Sequence, residues 1–317
     1  MLKYFGKKLL LMIVMVFVIS LVIYAALDST GVDPVAAALG VDNYTDAAAA
    51  AMRIKLGLDK PLIVRYFRWW KSILSGDLGF SIAHNYAIKD GLIGKWPASL
   101  EIALIALILS TIIGILIGIL SAYWQNSIID YLGRFFSVLG NSMPAYFFAL
   151  ILIQLFAVRW GLLPIGGRVP VGARTFWDRV PNLILPVMAL TIPMFGNLVR
   201  YTRNTMLDMA NQEYVKLARS KGIPEWKVYT KHIFRNSMRP IVTVLLFRTT
   251  MLFSGSVAVE TIFSWPGVGP VLTDAITAND YPVIMIYTLF LSIIILIISF
   301  LVDMFTALLD PRVRTEF

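Results

Sequence analysis

The sequence predicts an all-α polytopic membrane protein with six transmembrane helices, and three observations lead there. Of 317 residues, 58% are hydrophobic and 15% charged, whereas soluble domains hold roughly 25% charged residues. Six apolar runs lie close to the length of about 20 residues that a helix needs to cross a bilayer. Cysteine is absent and the two histidines, His84 and His232, are far apart, which removes disulfides and thiolate zinc sites and disfavours metalloenzyme readings. The net charge is +9, yet the basic residues lie scattered between apolar runs. No stripe of the kind nucleic acid requires is formed.

The first run, residues 9–27, follows Lys3, Lys7 and Lys8 and has 19 residues. That exceeds a usual signal-peptide core and no small-x-small cleavage site follows, so residues 1–27 read as a retained anchor helix. Residues 28–100 form an extracytoplasmic region with short helices. There Ala47 to Ala51 lead to Gly57 as a helix stop, and Pro61 opens a helix over Leu62–Leu74. Leu62, Tyr66, Trp69, Trp70 and Ile73 recur along it at helical spacing. Its aromatic residues suggest a helix at the membrane interface or a lid on the chain's own helices.

Residues 101–317 supply five further spans: 102–124, 135–158, 181–199, 240–259 and 281–302. Gly114 and Gly118 form a G-x-x-x-G pair that predicts close helix contact. Pro144, Pro186 and Pro193 are placed to interrupt backbone hydrogen bonds at membrane depth. Between spans, residues 160–172 read as a turn-rich loop, with Pro164, Gly166, Gly167 and Pro170.

Orientation follows from Lys and Arg counts in the short loops. The N-terminus, residues 125–134, residues 200–239 and the tail hold 3, 1, 9 and 2, against 4 in residues 159–180 and none in 260–280. Both termini are therefore expected in the cytoplasm.

The loop 200–239 is too long for a mere connector. Tyr214, Leu217 and Ala218 share one face of its first half, with Lys216, Arg219 and Lys221 around it. Gly222 permits a left-handed turn, and Pro224 opens a second short helix over 225–234 that carries Trp226, Tyr229 and Ile233 on one side. Such an elbow fits a docking surface for a protein partner, and it equally fits an amphipathic element resting on anionic lipid.

The stretch Glu213-Tyr214-Val215-Lys216-Leu217-Ala218-Arg219-Ser220-Lys221-Gly222 resembles the ATPase-docking EAA loop of ABC-importer permeases, in the form of their oligopeptide/dipeptide (nickel) subfamily. His232-Ile233-Phe234-Arg235-Asn236 through Pro240 is similar too. So are Leu58-Asp59-Lys60-Pro61-Leu62 with Gly76-Asp77-Leu78-Gly79, the run from Glu260 through Trp265-Pro266-Gly267 to Gly269, and the ending Leu308-Leu309-Asp310-Pro311-Arg312. Against the general importer pattern only Ala218 and Gly222 fit, so the likeness is to the peptide subfamily and its B-type subunit.

The resemblance implies a type I ABC importer permease fold in a bacterial or archaeal cell (inner) membrane. It implies a homologous second permease subunit, two cytoplasmic ABC ATPase subunits and an extracytoplasmic substrate-binding protein. No G-x-x-x-x-G-K-[ST] occurs, so the chain is not expected to be an enzyme or to hold a cofactor, and ATP and Mg would be bound by the ATPases. On this reading Gly222 is the turn, Glu213 is a helix-stabilising or ATPase-contacting acid, Arg219 belongs to the docking surface, and Lys221, Trp226 and Tyr229 are contact candidates.

Polar groups inside spans are costly unless they face protein or water. Arg248 is the one charge within a span, expected to pair with an acid or with backbone carbonyls, or else to face the translocation path. Asn141, Ser142, Gln154, Asn197 and Ser254 are further path candidates, beside Thr249 and Ser256. Import of nickel or a metal chelate is the alternative within the subfamily, though no His or Cys cluster favours it. An ion-coupled secondary transporter would carry acids inside its spans, and a membrane-embedded hydrolase would need a base there; the spans have neither.

Overall fold

A computed structural model describes residues 2–30, 35, 45–56, 59–170, 172, 175 and 177–309, and the side chains of 2–4, 48, 52, 54–56, 246, 250–255, 308 and 309 stand outside the described set. In chain order the helices are α1 (Leu2–Ser29), α2 (Asp46–Leu56), α3 (Leu62–Leu74), α4 (Ile88–Tyr123), α5 (Ile128–Ser142) and α6 (Ala145–Leu152). They continue with α7 (Val180–Ala210), α8 (Glu213–Ser220), the short α9 (Glu225–Lys227), α10 (Arg235–Ile262), α11 (Val268–Thr277) and α12 (Tyr281–Leu309). Two π-helical turns, Ile153–Arg159 and Val228–Phe234, extend α6 and α9. The fold class is all-α, as the composition requires. Gly57, Leu58 and the segment Asp310-Pro311-Arg312 lie outside the described residues.

Four helices, α1, α4, α7 and α12, are each long and apolar enough to cross a membrane among the described residues. The run 135–158, expected as one span with Pro144 placed to interrupt its backbone hydrogen bonds, is broken: α5 and the α6 segment meet at 106°. Pro144 is the cause, because the residue before proline is driven out of the helical region. Met143 accordingly takes φ −134° and ψ 142°, and Pro144 opens α6 at φ −64°. Pro186 and Pro193, in contrast, stay inside α7 without ending it. Each removes one backbone bond, and the buried residues Leu185, Val187, Ala189 and Leu190 around them hold the helix in place.

The chain divides into two compact units. One comprises residues 1–97 and 267–300. Its core gathers Ile88, Leu92, Val268, Ala275, Val283 and Tyr287. Within it α3 packs along α1: the Tyr66 hydroxyl donates to Phe17 O at 2.9 Å, Trp70 Nε1 donates to Ser20 Oγ at 3.3 Å, and Arg65 pairs with Asp28 at 2.8 Å. The opposite face of α3 leaves Ile63, Phe67 and Leu74 exposed, so this helix packs on its own unit and also presents an apolar surface. Asp280 fastens the segment after α3, accepting from Ser81 Oγ at 2.5 Å and from the Ile82 and Ala83 amides at 3.2 Å. Helix α11 lies within residues 260–280, which the charge count treats as a loop between spans.

The second unit comprises residues 98–266 and 301–317. Here α4 meets α7 at the glycine pair: a Cβ on Gly114 would stand 2.8 Å from Leu198 Cβ, and one on Gly118 would stand 2.6 Å from Thr202 Cβ. Larger residues cannot be accommodated there without displacing α7. Trp265 is fully buried and its indole N–H donates to Ala98 O at 2.8 Å. It is seated by a Schellman turn in which Trp265 N reaches Glu260 O at 2.8 Å and Ser264 N reaches Thr261 O at 3.2 Å. Ser264 holds φ 49° at the position such a turn usually gives to glycine. Glu101 clamps the turn-rich loop, receiving Arg168 Nε at 2.6 Å and Arg179 Nη2 at 2.7 Å.

Candidate functional site

The loop beyond residue 200 begins later than the apolar run suggests, because α7 continues to Ala210 before the chain turns into α8. Helix α8 is amphipathic. It buries Val215 and Ala218 against Met206, Ala210, Val228, Ile233 and Ala122, and leaves Tyr214 and Leu217 at 38% and 57% exposure. The sequence had placed Ala218 on the face of Tyr214 and Leu217; the backbone instead turns Ala218 inward with Val215, three residues away and so on the same side of a helix.

Gly222 ends the helix. Its φ is 73°, its N–H reaches Arg219 O at 2.9 Å, and the Ile223 N–H reaches Ala218 O at 3.3 Å. These two bonds form a Schellman cap with glycine at the left-handed position. A Cβ added at Gly222 would meet no atom within 4 Å, so glycine is required by backbone conformation and not by space.

Pro224, with φ −61° and ψ 141°, starts the second arm. That arm differs from the separate helix expected over 225–234: α9 passes through the π-helical turn into α10 without a stop. The elbow is thus joined rigidly to a long helix. Arg219 pairs with Glu225 across the turn at 2.7 Å, and Glu213 pairs with Lys216 at 2.8 Å. Both pairs are exposed, so each is worth about 0–1 kcal/mol and serves geometry more than stability.

The contact candidates separate. Trp226 is 57% exposed, with Lys227 Nζ 5.3 Å above its ring; Lys221, at the end of α8, is exposed as well. Tyr229 is half-buried, stacks edge-on against Tyr123 at 4.8 Å and donates to Ala122 O at 3.4 Å. Burial pushes the Tyr229 hydroxyl above its ordinary pKa, so it stays protonated as a donor. It braces the elbow against α4.

About two turns before α7 ends, Arg203 meets Asp130 of α5 through Nε to Oδ1 at 2.6 Å and Nη2 to Oδ2 at 2.9 Å. Asp130 is fully buried and also accepts the Asn126 amide at 3.0 Å. The two Arg203 hydrogen bonds, the Asn126 N–H and the nearby Arg134 guanidinium compensate the burial of this carboxylate. Sequence reading missed this pair. The available signal was Ser127 three residues before Asp130, a capping pattern in which Asp130 N donates to Ser127 Oγ at 3.4 Å.

Of the path candidates, Asn141 and Ser142 donate to Ser137 O at 2.9 Å and Val138 O at 2.7 Å within their own helix. Gln154 is exposed on the π-helical turn after α6, and Asn197 is half-buried on α7. The Arg248 guanidinium of α10 donates to Met194 O, which brings it to α7 one turn from Asn197. The side chain of Ser254 lies outside the described residues.

Residues 114–315 match the family described as binding-protein-dependent transport system inner membrane component, and residues 1–103 match its N-terminal membrane component. The chain is 35% identical over 317 residues to a putative peptide permease protein of Brucella suis biovar 1, with 99% of each chain covered. It is 33% identical over 337 residues to the dipeptide transport system permease protein DppB of Escherichia coli K12, with 99% of each covered. To the oligopeptide transport system permease protein AppB of Bacillus subtilis 168 it is 36% identical over 262 residues, covering 82% of this chain and 83% of the relative.

Proposed function

Since the chain belongs to the family of binding-protein-dependent transport system inner membrane components, we propose that it is the permease subunit of an ATP-driven importer of di- or oligopeptides. The relatives are named as peptide, dipeptide and oligopeptide permeases, and none of those names supports the nickel alternative. The chain crosses the membrane six times, with α5 and α6 as one broken span and residues 240–259 of α10 as the sixth. Both termini and the elbow face the cytoplasm. It forms half of the path, and a homologous permease forms the other.

One observation carries the coupling role. The elbow buries its inner residues, leaves Tyr214, Leu217 and Trp226 exposed, and continues without a stop into α10. Exposed aromatic and aliphatic side chains on a short capped helix suit a cleft in a protein partner. The partner is a pair of cytoplasmic ATPases that hold ATP and Mg. ATP binds one of their arrangements better than the other, and the elbow passes that preference to the helices. Glu213, Ala218, Arg219, Lys221, Gly222, Trp226 and Tyr229 form the docking element, with Ala218 and Tyr229 inside it and the others on its surface. Asn197 of α7 and Arg248 of α10, whose guanidinium reaches Met194 O one turn from Asn197, are the path candidates this reading favours.

Reconstitution tests the proposal. The chain alone neither binds nor hydrolyses ATP, whereas vesicles containing it with its partner permease, ATPases and binding protein accumulate peptide in proportion to ATP consumed. ATPase activity of the isolated chain, or full uptake from complexes lacking it, would refute the assignment. Topology is tested separately by single introduced cysteines, since the chain has none. A membrane-impermeant thiol reagent labels position 226 only after cells are opened; labelling of intact cells there would reverse the orientation.

A further inference from the structure

A recess of about 220 Å³ lies between α5 and α7, lined among others by Arg134, Ser137, Arg200, Arg203 and Asn204. Its charge is unbalanced. Arg203 is committed to Asp130, and Arg134, 44% exposed, stands 3.5 Å from the same carboxylate and 4.5 Å above the Tyr131 ring. Two guanidinium groups thus share one buried acid, and Arg200 adds a third positive charge to the lining of the recess. The Ser137 side chain is 2% exposed, and its Oγ has no hydrogen-bond partner among the described residues. A buried hydroxyl left unpaired is costly, and turning it about χ1 to meet a ligand oxygen in the recess would recover that cost. Beside these polar groups Val138 is 64% exposed and Val199 closes the recess as an apolar wall.

We propose that this recess holds the phosphate of an anionic phospholipid, with Arg134, Arg200 and Asn204 on the headgroup, Ser137 Oγ donating to a phosphate oxygen, and an acyl chain along Val138. Location argues for lipid over soluble anion: Arg134 precedes the apolar run 135–158 and Arg200 follows the run 181–199, so both flank spans at one membrane face. With the topology proposed above this is the cytoplasmic leaflet, where basic pockets between helices take anionic headgroups. The site is separate from the elbow. It places a lipid against α5 and α7, two helices whose pairing Asp130 and Arg203 fix.

The test uses the assembled complex in detergent and compares wild type with Arg134→Gln/Arg200→Gln and with Ser137→Ala. Each is titrated with phosphatidylglycerol and phosphatidylcholine, followed by native mass spectrometry, and in a parallel arm with inorganic phosphate. Wild type is expected to retain phosphatidylglycerol at least tenfold more tightly than the double variant, about 1.4 kcal/mol, with no preference for phosphatidylglycerol left in that variant. Ser137→Ala should weaken retention several-fold while melting temperature holds, since the buried hydroxyl has no partner to lose. Arg200→Lys keeps the charge and should preserve binding, which controls for misfolding of the double variant. Equal retention by wild type and the double variant would overturn the proposal. Tight phosphate binding without lipid preference would overturn its lipid assignment, and so would failure of the wild-type complex to bind either.

Discussion

Gly222→Val in the assembled importer is expected to abolish uptake while the chain still inserts and accumulates in the membrane. A β-branched residue in the left-handed region costs roughly 1–2 kcal/mol or more, and Gly222 sits there at φ 73°. Space offers no relief or penalty, because a Cβ at this position meets nothing within 4 Å. The strain therefore falls on the turn, and it is removed by giving up the two bonds of the cap, from Gly222 N to Arg219 O and from Ile223 N to Ala218 O. An eight-residue helix has little cohesion of its own, so α8 loses its angle to α9 and carries Tyr214 and Leu217 away from Trp226. Coupling free energies run about 1–3 kcal/mol; cutting this one lowers binding-protein-stimulated ATP hydrolysis by about tenfold and uptake at least as much. Gly222→Asn is the control, since asparagine tolerates positive φ, and it should keep most activity. Normal uptake, stimulated hydrolysis and ATPase co-purification for Gly222→Val would remove the elbow from the coupling path. Loss of membrane accumulation alone would assign it a lipid-surface or structural role.

Much of this fold was open to sequence reading because lipid imposes length and apolarity on its helices. The runs that became α1, α4, α7 and α12 needed only counting, and Leu62–Leu74 was readable from Pro61 and the spacing of Tyr66 and Trp70. The elbow was legible for a different reason. Glycine between two short polar helical stretches has few other uses, and Pro224 marks the start of the second arm. What escaped were features set by pairing over long sequence separations. Asp130 and Arg203 are 73 positions apart, and a charge count by loop treats each residue as isolated. Ala218 was misplaced for the same reason: one helix shows its apolar residues, but only its neighbours show which of two adjacent faces they cover. The break at Pro144 was anticipated as a site of bending. Its angle of 106° was not, since it is set by the extended conformation at Met143, which a run of apolar residues does not reveal.

Asp130→Asn is expected to destabilise the permease more than any surface change considered above. The carboxylate is fully buried and meets Arg203, itself 13% exposed, through bonds of 2.6 and 2.9 Å. Removing one partner of a buried pair leaves the other charge uncompensated and typically costs about 3–5 kcal/mol. Asparagine preserves volume but supplies one neutral acceptor where Arg203 and the Asn126 amide used two charged oxygens. The outcome is a lower melting temperature of the purified complex and reduced membrane accumulation. A double variant, Asp130→Leu with Arg203→Met, removes both charges and should regain much of the loss, because well-packed apolar pairs often replace buried ion pairs without net cost. No melting-temperature gap between wild type and Asp130→Asn, or a double variant no more stable than the single one, would show that this pair does not hold α5 to α7.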